Sequence, residues 1–463
     1  MTPARRWIAA VLAIIAVAAL VFAFTGDPSA TGVEPAPAGA TPLWSARRVP
    51  QPIVNAVGAQ RLQGALAAEM GSDGVCFMVE NGGGVVASQN ADVPLISASG
   101  QKLFVAAAAL DDLGPDFTYV TKAVAPAKPD NGVIDQLTLV GSGDPGLVTD
   151  DYVAFLASQP RLKTDVFTHL EALRDSIVAA GVQRIPGGIV ADDSRYDTQR
   201  QVDGWKASYR ADGDVGSLGA LVVNGGYSSF TPRRPADDPA IEAAARLTAL
   251  LTERGVQVGP PTRGAAPADA VEIASVTSPP LRDVVGGMLT NSGDLTAEVL
   301  AKELAVHANA PGTTAAGLAA IVASLQRLGV PVDGLQLLDA SGLHRGNRTT
   351  CRTLLATLDL GSQPEFSTLW DGLSVAGEKG TLVNQILGLG LEGKLHAKTG
   401  TLDGVSSLVG KIDGSQQVRF AYIDNGATGY GAAVSDSLRR DLAAVLATFP
   451  SAPSADELVP APL

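Results

Sequence analysis

Apolar positions recur with helical period over 60–70. They then shorten to strand-like runs over 74–80 and 83–88, joined by Asn81-Gly82-Gly83, a hairpin signal. A strongly helical stretch, carried by Ala and Leu, follows at 102–111. Between 112 and 277 Gly, Pro and Asp punctuate the chain densely. Short β-rich runs at 133–140 and 188–191 alternate there with helical stretches at 165–180 and 240–254. Ala/Leu helices return at 295–308, 314–328 and 350–360. Two strands at 405–412 and 418–423 and a helix at 432–448 close the pattern. Within 288–304, Leu295, Val299 and Leu300 set against Glu298 and Lys302 read as an amphipathic helix, with Ser292 or Asp294 as its N-cap.

The start and end of the chain are of a different kind. Arg5 and Arg6 precede an uncharged apolar run over 7–24, which reads as a secretory signal or a single membrane anchor with its basic flank in the cytoplasm. The anchor is favoured because no small-x-small cleavage site follows at once. Residues 26–50 are rich in Pro and Ala without periodicity, as a linker is, and the tail 451–463 has the same character. The pattern thus divides into a membrane segment (1–25), a linker (26–50), a first α/β part (51–111), an inserted mixed region (112–277), a second part (278–450) and the tail.

Composition narrows the function classes. The chain has 463 residues, 46% hydrophobic and 17% charged, which is globular and long enough for more than one core. A net charge of −13 without a basic patch argues against a nucleic-acid partner. Two cysteines, Cys76 and Cys351, form no C-x-x-C; separate buried thiols are expected rather than a disulfide framework or a metal site, with a single long-range disulfide left open as the alternative.

Several chemistries drop out. There is no G-x-S-x-G elbow, and none of His169, His307, His344 and His396 opens an H-E-x-x-H. The run 388–394 fits G-x-x-x-x-G-K, but Leu395 stands where a phosphate loop needs Ser or Thr for Mg²⁺. What survives is Ser99-Gly-Gln-Lys102, the S-x-x-K of the chain. On a helical first turn, positions i and i+3 share a face, so Lys102 can lie against the Ser99 hydroxyl and accept its proton. Alone this is a weak signal, equally met by a capped helix with a solvated lysine. The second element is Lys398-Thr399-Gly400-Thr401, ahead of an apolar strand-like run. A lysine and two hydroxyls beside a glycine make a strand edge able to hold a carboxylate, with Gly400 letting a ligand approach closely. The plain alternative is a strand start with a polar turn.

Taken in order, Ser99/Lys102, Ser292-Gly293-Asp294 and Lys398-Thr399-Gly400 resemble the S-x-x-K, S-x-N and K-T-G set of penicillin-recognising serine enzymes. The wide gap between the first two serines is similar to the low-molecular-mass class C penicillin-binding proteins, the D-alanyl-D-alanine carboxypeptidase/endopeptidase family. Landmarks at 139–145, 188–194, 339–343 and 375–382 resemble that family too, so the likeness spans about 55–450. Ser88-Gln89-Asn90 is a literal S-x-N, but it precedes Ser99 and reads as a hairpin edge.

The resemblance implies an α/β (α+β) fold: a split transpeptidase/β-lactamase-like domain, an antiparallel sheet flanked by helices, interrupted by a mixed α/β insertion. It implies Ser99 as nucleophile, Lys102 as proton acceptor, and Ser292 with Lys398 as the relay to the leaving amine. Asp294, Thr399, Gly400 and Thr401 would contact substrate. Peptidoglycan stem peptides would be the substrates, β-lactams covalent inhibitors, and no metal or organic cofactor would be needed. The long insertion and the lack of a recognisable deacylation glutamate motif count against a β-lactamase. A catalytically quiet cell-wall binding protein is the alternative.

One residue departs from the pattern. Asp294 stands where the family usually has Asn, which both accepts and donates, whereas an ionised Asp only accepts. A carboxylate beside a catalytic amine favours its ammonium form and weakens it as a base, so a slow or specialised enzyme is expected.

Overall fold

Helix α1 (Gln51–Met70) leads into strands β1 (Val75–Asn81) and β2 (Gly84–Gln89). Their turn works because Gly82 and Gly83 take φ of 58° and 86°, values that cost a residue with a Cβ. The computed structural model describes residues 51–159, 166–414, 416–426 and 432–450. The expected membrane segment, linker and tail lie outside them. No helix among the described residues is long and apolar enough to cross a membrane. Residues Asn55–Ser451 form one compact unit.

A 3₁₀ turn (Ala98–Gln101) runs into helix α2 (Lys102–Asp112), buried from Lys102 through Leu110. An apolar surface on all sides makes it a central helix. The chain then builds a separate layer from strands β3 (Val120–Ala125) and β4 (Leu137–Val140), helix α3 (Leu170–Ala179), strand β5 (Ile189–Asp192), helix α4 (Pro239–Glu253), and strands β6 (Thr262–Arg263) and β7 (Val271–Thr277). These strands pair in the order β6-β5-β4-β3-β7, parallel across β6-β5-β4 and antiparallel across β4-β3-β7. Leu173, Ile177, Leu247 and Leu251 of the two helices close a core over this sheet. Helix α4 starts where Asp238 accepts from Ala240 N and Ile241 N with Pro239 behind it, a capped start of the usual chemistry.

The chain returns through helices α5 (Leu281–Asn291), α6 (Asp294–His307), α7 (Thr314–Arg327) and α8 (Cys351–Asp359). Strands β8 (Ser374–Val375), β9 (Leu395–Leu402), β10 (Val405–Ile412) and β11 (Val418–Asp424) and helix α9 (Ala432–Leu446) follow. The six-stranded sheet runs β8-β9-β10-β11-β1-β2, antiparallel throughout, so the first hairpin completes a sheet built mainly from the end of the chain. Alternation sorts its faces. Val75, Phe77 and Val79 meet α1 and α9, whereas Cys76 and Met78 meet the α2, α5, α6, α7 and α8 side. The sheet is therefore covered by helices on both faces.

Three expectations need correction. Cys76 and Cys351 are not separate thiols: they form a disulfide that links β1 to the first residue of α8, with Cα atoms 6.1 Å apart. Strand alternation turns Cys76 toward the helices, and no sequence spacing betrays a partner 275 residues away. Helix α5, absent from the periodicity reading, fills 281–291. Helix α6 has no solvated polar side: Glu298 and Lys302 are both 0% exposed.

Candidate active site

The turn that carries Ser99 is held in an unusual shape. Ala98 has φ of 48°, a left-handed value that typically costs a residue with a Cβ about 1–3 kcal/mol. The surroundings enforce it. A Cβ on Gly342 would stand 2.1 Å from Ala98 O, and one on Gly400 would stand 2.2 Å from Ser97 O. The sequence pattern predicts room at Gly400 for a ligand's approach; the structure adds a nearer cause, the chain's own 3₁₀ turn, which only a glycine in β9 admits this closely.

This packing fixes Lys102. Its ammonium is wholly buried and donates to Ser99 Oγ at 2.8 Å, Asp294 Oδ1 at 2.6 Å and Ser341 O at 2.6 Å. All three acceptors come from different segments, so the amine is held from three directions. Asp294 opens α6, its side chain 22% exposed. One and two turns further along the same helix, Glu298 and Lys302 point into the protein. Glu298 Oε1 accepts from Ala340 N at 3.0 Å and Ser341 N at 2.7 Å, which aims the Ser341 carbonyl at Lys102. Burial, then the nearby Asp339 charge, pushes the Glu298 carboxyl up to about 8. Lys302 Nζ donates to Asp197 at 2.5 Å, tying α6 to the inserted layer.

Asp339, in the landmark at 339–343, gathers the same loop. Its carboxylate accepts from Gln101 Nε2, Trp205 Nε1, Asn347 Nδ2 and the N–H groups of Gly342 and His344. Gln101 lies between Ser99 and Lys102, so this buried acid anchors the nucleophile turn.

Ser292 is the second expected serine. It does not cap α6; it ends α5 with φ of 62° and ψ of 43°, and Gly293 is the N-cap of α6. The hinge turns its hydroxyl toward β9, where Lys398 Nζ donates to Ser292 Oγ at 2.9 Å and to Thr399 O at 2.8 Å. Lys398 is 0% exposed, within a full strand rather than at a strand start. The Thr399 hydroxyl bonds Thr381 Oγ1 at 2.9 Å, and Thr381 in turn meets Ser374 Oγ, which donates to Thr290 O. Thr401, on the same face of β9 as Thr399, is exposed; its Oγ1 accepts from Arg439 of α9 at 2.5 Å. Arg439 and Glu298 have no site role in the sequence analysis; both sit on helices, where an ionisable residue looks like surface.

The structure thus brings together Ser99, Lys102 and Asp294 in one hydrogen-bonded group, and Ser292, Lys398 and Thr399 in another, with Gly400 packed on the Ser99 turn. A cavity of about 510 Å³ opens beside Ser292, Gly293 and Asp294, walled on the inserted side by Tyr152, Tyr227 and Arg233. A larger one, about 710 Å³, holds none of the expected residues. Among the described residues Asp150, His169 and Glu171 offer ligand atoms within 4.8 Å of one another. Their mutual hydrogen bonds at two helix starts already account for that grouping.

Comparison with known proteins gives the family. The chain matches the D-Ala-D-Ala carboxypeptidase 3 (S13) family over residues 59–237 and 215–449. It is 30% identical over 423 residues to a D-alanyl-D-alanine carboxypeptidase of Actinomadura sp. (strain R39), covering 74% of this chain and 75% of that one. It is 33% identical over 366 residues to a carboxypeptidase of Mycobacterium tuberculosis, covering 76% of each. Among solved structures it is similar to penicillin binding protein 4 of Haemophilus influenzae, with a TM-score of 0.67 and 20% identity over 84% of this chain and 99% of that one; at that identity the likeness concerns the fold. The chain belongs to the D-Ala-D-Ala carboxypeptidase 3 (S13) family.

Proposed function

We propose that the protein is a penicillin-binding, serine-type D-alanyl-D-alanine carboxypeptidase/endopeptidase that acts on peptidoglycan stem peptides through an acyl-enzyme on Ser99. The observation that carries this reading is the pair of serine–lysine contacts, Ser99 with Lys102 at 2.8 Å and Ser292 with Lys398 at 2.9 Å, in one compact body. Ser99 Oγ attacks the carbonyl between the two terminal D-alanines, and Lys102 takes its proton. Ser292, held by Lys398, passes a proton to the leaving amine. Positioned proton transfer of this kind typically contributes about 10²–10⁴-fold. The backbone N–H groups of Ser99 and Thr401 receive the oxyanion, a contribution on the order of 3 kcal/mol per donor. Lys398, Thr399 and Thr401 hold the C-terminal carboxylate, and water then hydrolyses the ester.

Asp294 sets the pace in this reading. The Asp294 carboxylate holds the Lys102 amine at 2.6 Å, a charge-assisted contact that competes with the Ser99 hydroxyl for that amine. The enzyme is therefore slow or specialised, and the same ion pair favours the second reading, a quiet cell-wall binding protein. We read 51–111 and 278–450 as the two parts of a transpeptidase-like domain and 112–277 as its insertion. The working compartment is the extracytoplasmic side of the cell envelope, membrane-anchored or secreted, consistent with the apolar run at 7–24 and with a disulfide, which reducing cytoplasm disfavours.

The test is release of D-alanine from a synthetic peptide ending in D-Ala-D-Ala. The wild-type protein should release it and Ser99→Ala should not. Equal release by both proteins removes Ser99 from the mechanism, and binding of the peptide without release supports the quiet protein.

A further inference from the structure

Arg439 reaches β9 from behind. It lies on α9 with 2% of its surface exposed, and its Nη2 donates to both Gly400 O and Thr401 Oγ1 at 2.5 Å. Its Nε donates to Ser407 O on β10 at 3.2 Å. Its ion-pair partner is Asp436, at 3.4 Å and itself 38% exposed. A buried guanidinium usually has a close bidentate acid. This one spends its N–H groups on one carbonyl and one hydroxyl of the strand that carries Lys398, Thr399 and Thr401, and on one carbonyl of β10.

That arrangement decides which way the Thr401 hydroxyl works. A hydroxyl has one proton and two acceptor lone pairs. With Arg439 donating to the oxygen, the oxygen is an acceptor on the protein side, and its proton is left to donate outward from an exposed position on β9. The guanidinium charge lies one hydroxyl behind that donor, weakly compensated and out of water, where charge acts at longer range than in solvent. Both effects favour an anion in front of Thr401.

We propose that Arg439 is a positioning residue for carboxylate recognition: it polarises the Thr401 hydroxyl toward the substrate's C-terminal carboxylate and so makes the enzyme selective for peptides that end in a free acid. This rests on the reading of the site as a D,D-carboxypeptidase, and the experiment separates the two.

Two synthetic peptides ending in D-Ala-D-Ala, one with a free C-terminal acid and one with a C-terminal carboxamide, are compared in wild type, Arg439→Gln, Arg439→Lys and Thr401→Val. In wild type kcat/KM should favour the acid. Arg439→Gln should lose about tenfold to hundredfold on the acid, the range expected for a charge-assisted contact, mainly through KM, and little on the amide. Arg439→Lys keeps the charge with fewer donors and should keep an intermediate preference. Thr401→Val, at an exposed position, should erase the preference as the glutamine does. A merely structural arginine would lower both peptides alike, so an unchanged acid-to-amide ratio in folded Arg439→Gln or Arg439→Lys overturns the proposal, as does an unchanged ratio in Thr401→Val. If wild type cleaves neither peptide and takes no penicillin on Ser99, it is the functional reading that fails, and the proposal falls with it.

Discussion

Ser99 with Lys102 and Ser292 with Lys398 are built from the same two side chains, at 2.8 Å and 2.9 Å, and both lysines are wholly buried. Their supports differ in kind. Lys102 has the Asp294 carboxylate at 2.6 Å and the Ser341 carbonyl at the same distance. Lys398 has, beside Ser292, the carbonyl of Thr399. The elements beneath them differ as well. The first pair sits on a turn fixed by Gly342, Gly400 and the Asp339 hub, whereas the second bridges a left-handed hinge and a strand. Identical chemistry at two places therefore gives two roles: a nucleophile whose lysine is also held by the Asp294 carboxylate, and a relay whose lysine ties the Ser292 hydroxyl to β9.

The largest effect that sharpens this contrast is expected from Ser292→Ala. It removes a proton relay and leaves the Ser99 turn intact, so penicillin acylation should slow by about 10²–10⁴-fold while the adduct stays on Ser99. Stopped-flow labelling followed by peptide mass analysis reads both quantities. A rate within threefold of wild type would mean that the second pair is architectural, and the contrast would collapse.

A smaller effect probes the support behind Lys102. The folded protein holds the Glu298 proton up to about pH 8, because burial and the Asp339 charge disfavour its ionised form. The unfolded chain releases that proton in the ordinary carboxyl range. The folded state thus binds more protons between the two values, and the group costs stability as pH rises through that window, fully so above about pH 8. Glu298→Gln cannot ionise, and one of its amide atoms still accepts from Ala340 and Ser341. Its melting temperature should fall less than that of wild type as pH rises from about 5 to about 8.5. Parallel curves for the two proteins would show that Glu298 does not titrate there.

The two pairs also show what a sequence can carry. Ser99/Lys102 is local: three positions on one turn impose the contact, so it is legible at once. Lys398-Thr399-Gly400 is legible as a motif, and β10 at Val405–Ile412 agrees with the apolar run that predicts it. Ser292 is legible by itself only as a polar residue before a helix; the family resemblance is what assigns it to the relay. Its function depends on a left-handed backbone and on a lysine 106 positions away, and neither leaves a local trace. The Cys76–Cys351 bond, Glu298 and Arg439 share that difficulty. A long-range partner or a buried charge on a helix looks, residue by residue, like any thiol or any surface acid and base. Periodicity also missed α5, whose polar Thr290 and Asn291 and paired Gly286 and Gly287 interrupt the apolar spacing.

The most direct measurement is timed acylation by a labelled penicillin in wild type and Asp294→Asn, with the adduct located by peptide mapping. The account predicts the adduct on Ser99 in both proteins. It also predicts labelling about tenfold faster in the asparagine variant, which removes the carboxylate that holds the Lys102 amine at 2.6 Å. An adduct elsewhere would contradict the assignment of Ser99, and equal or slower labelling of Asp294→Asn would contradict the claim that Asp294 restrains the base.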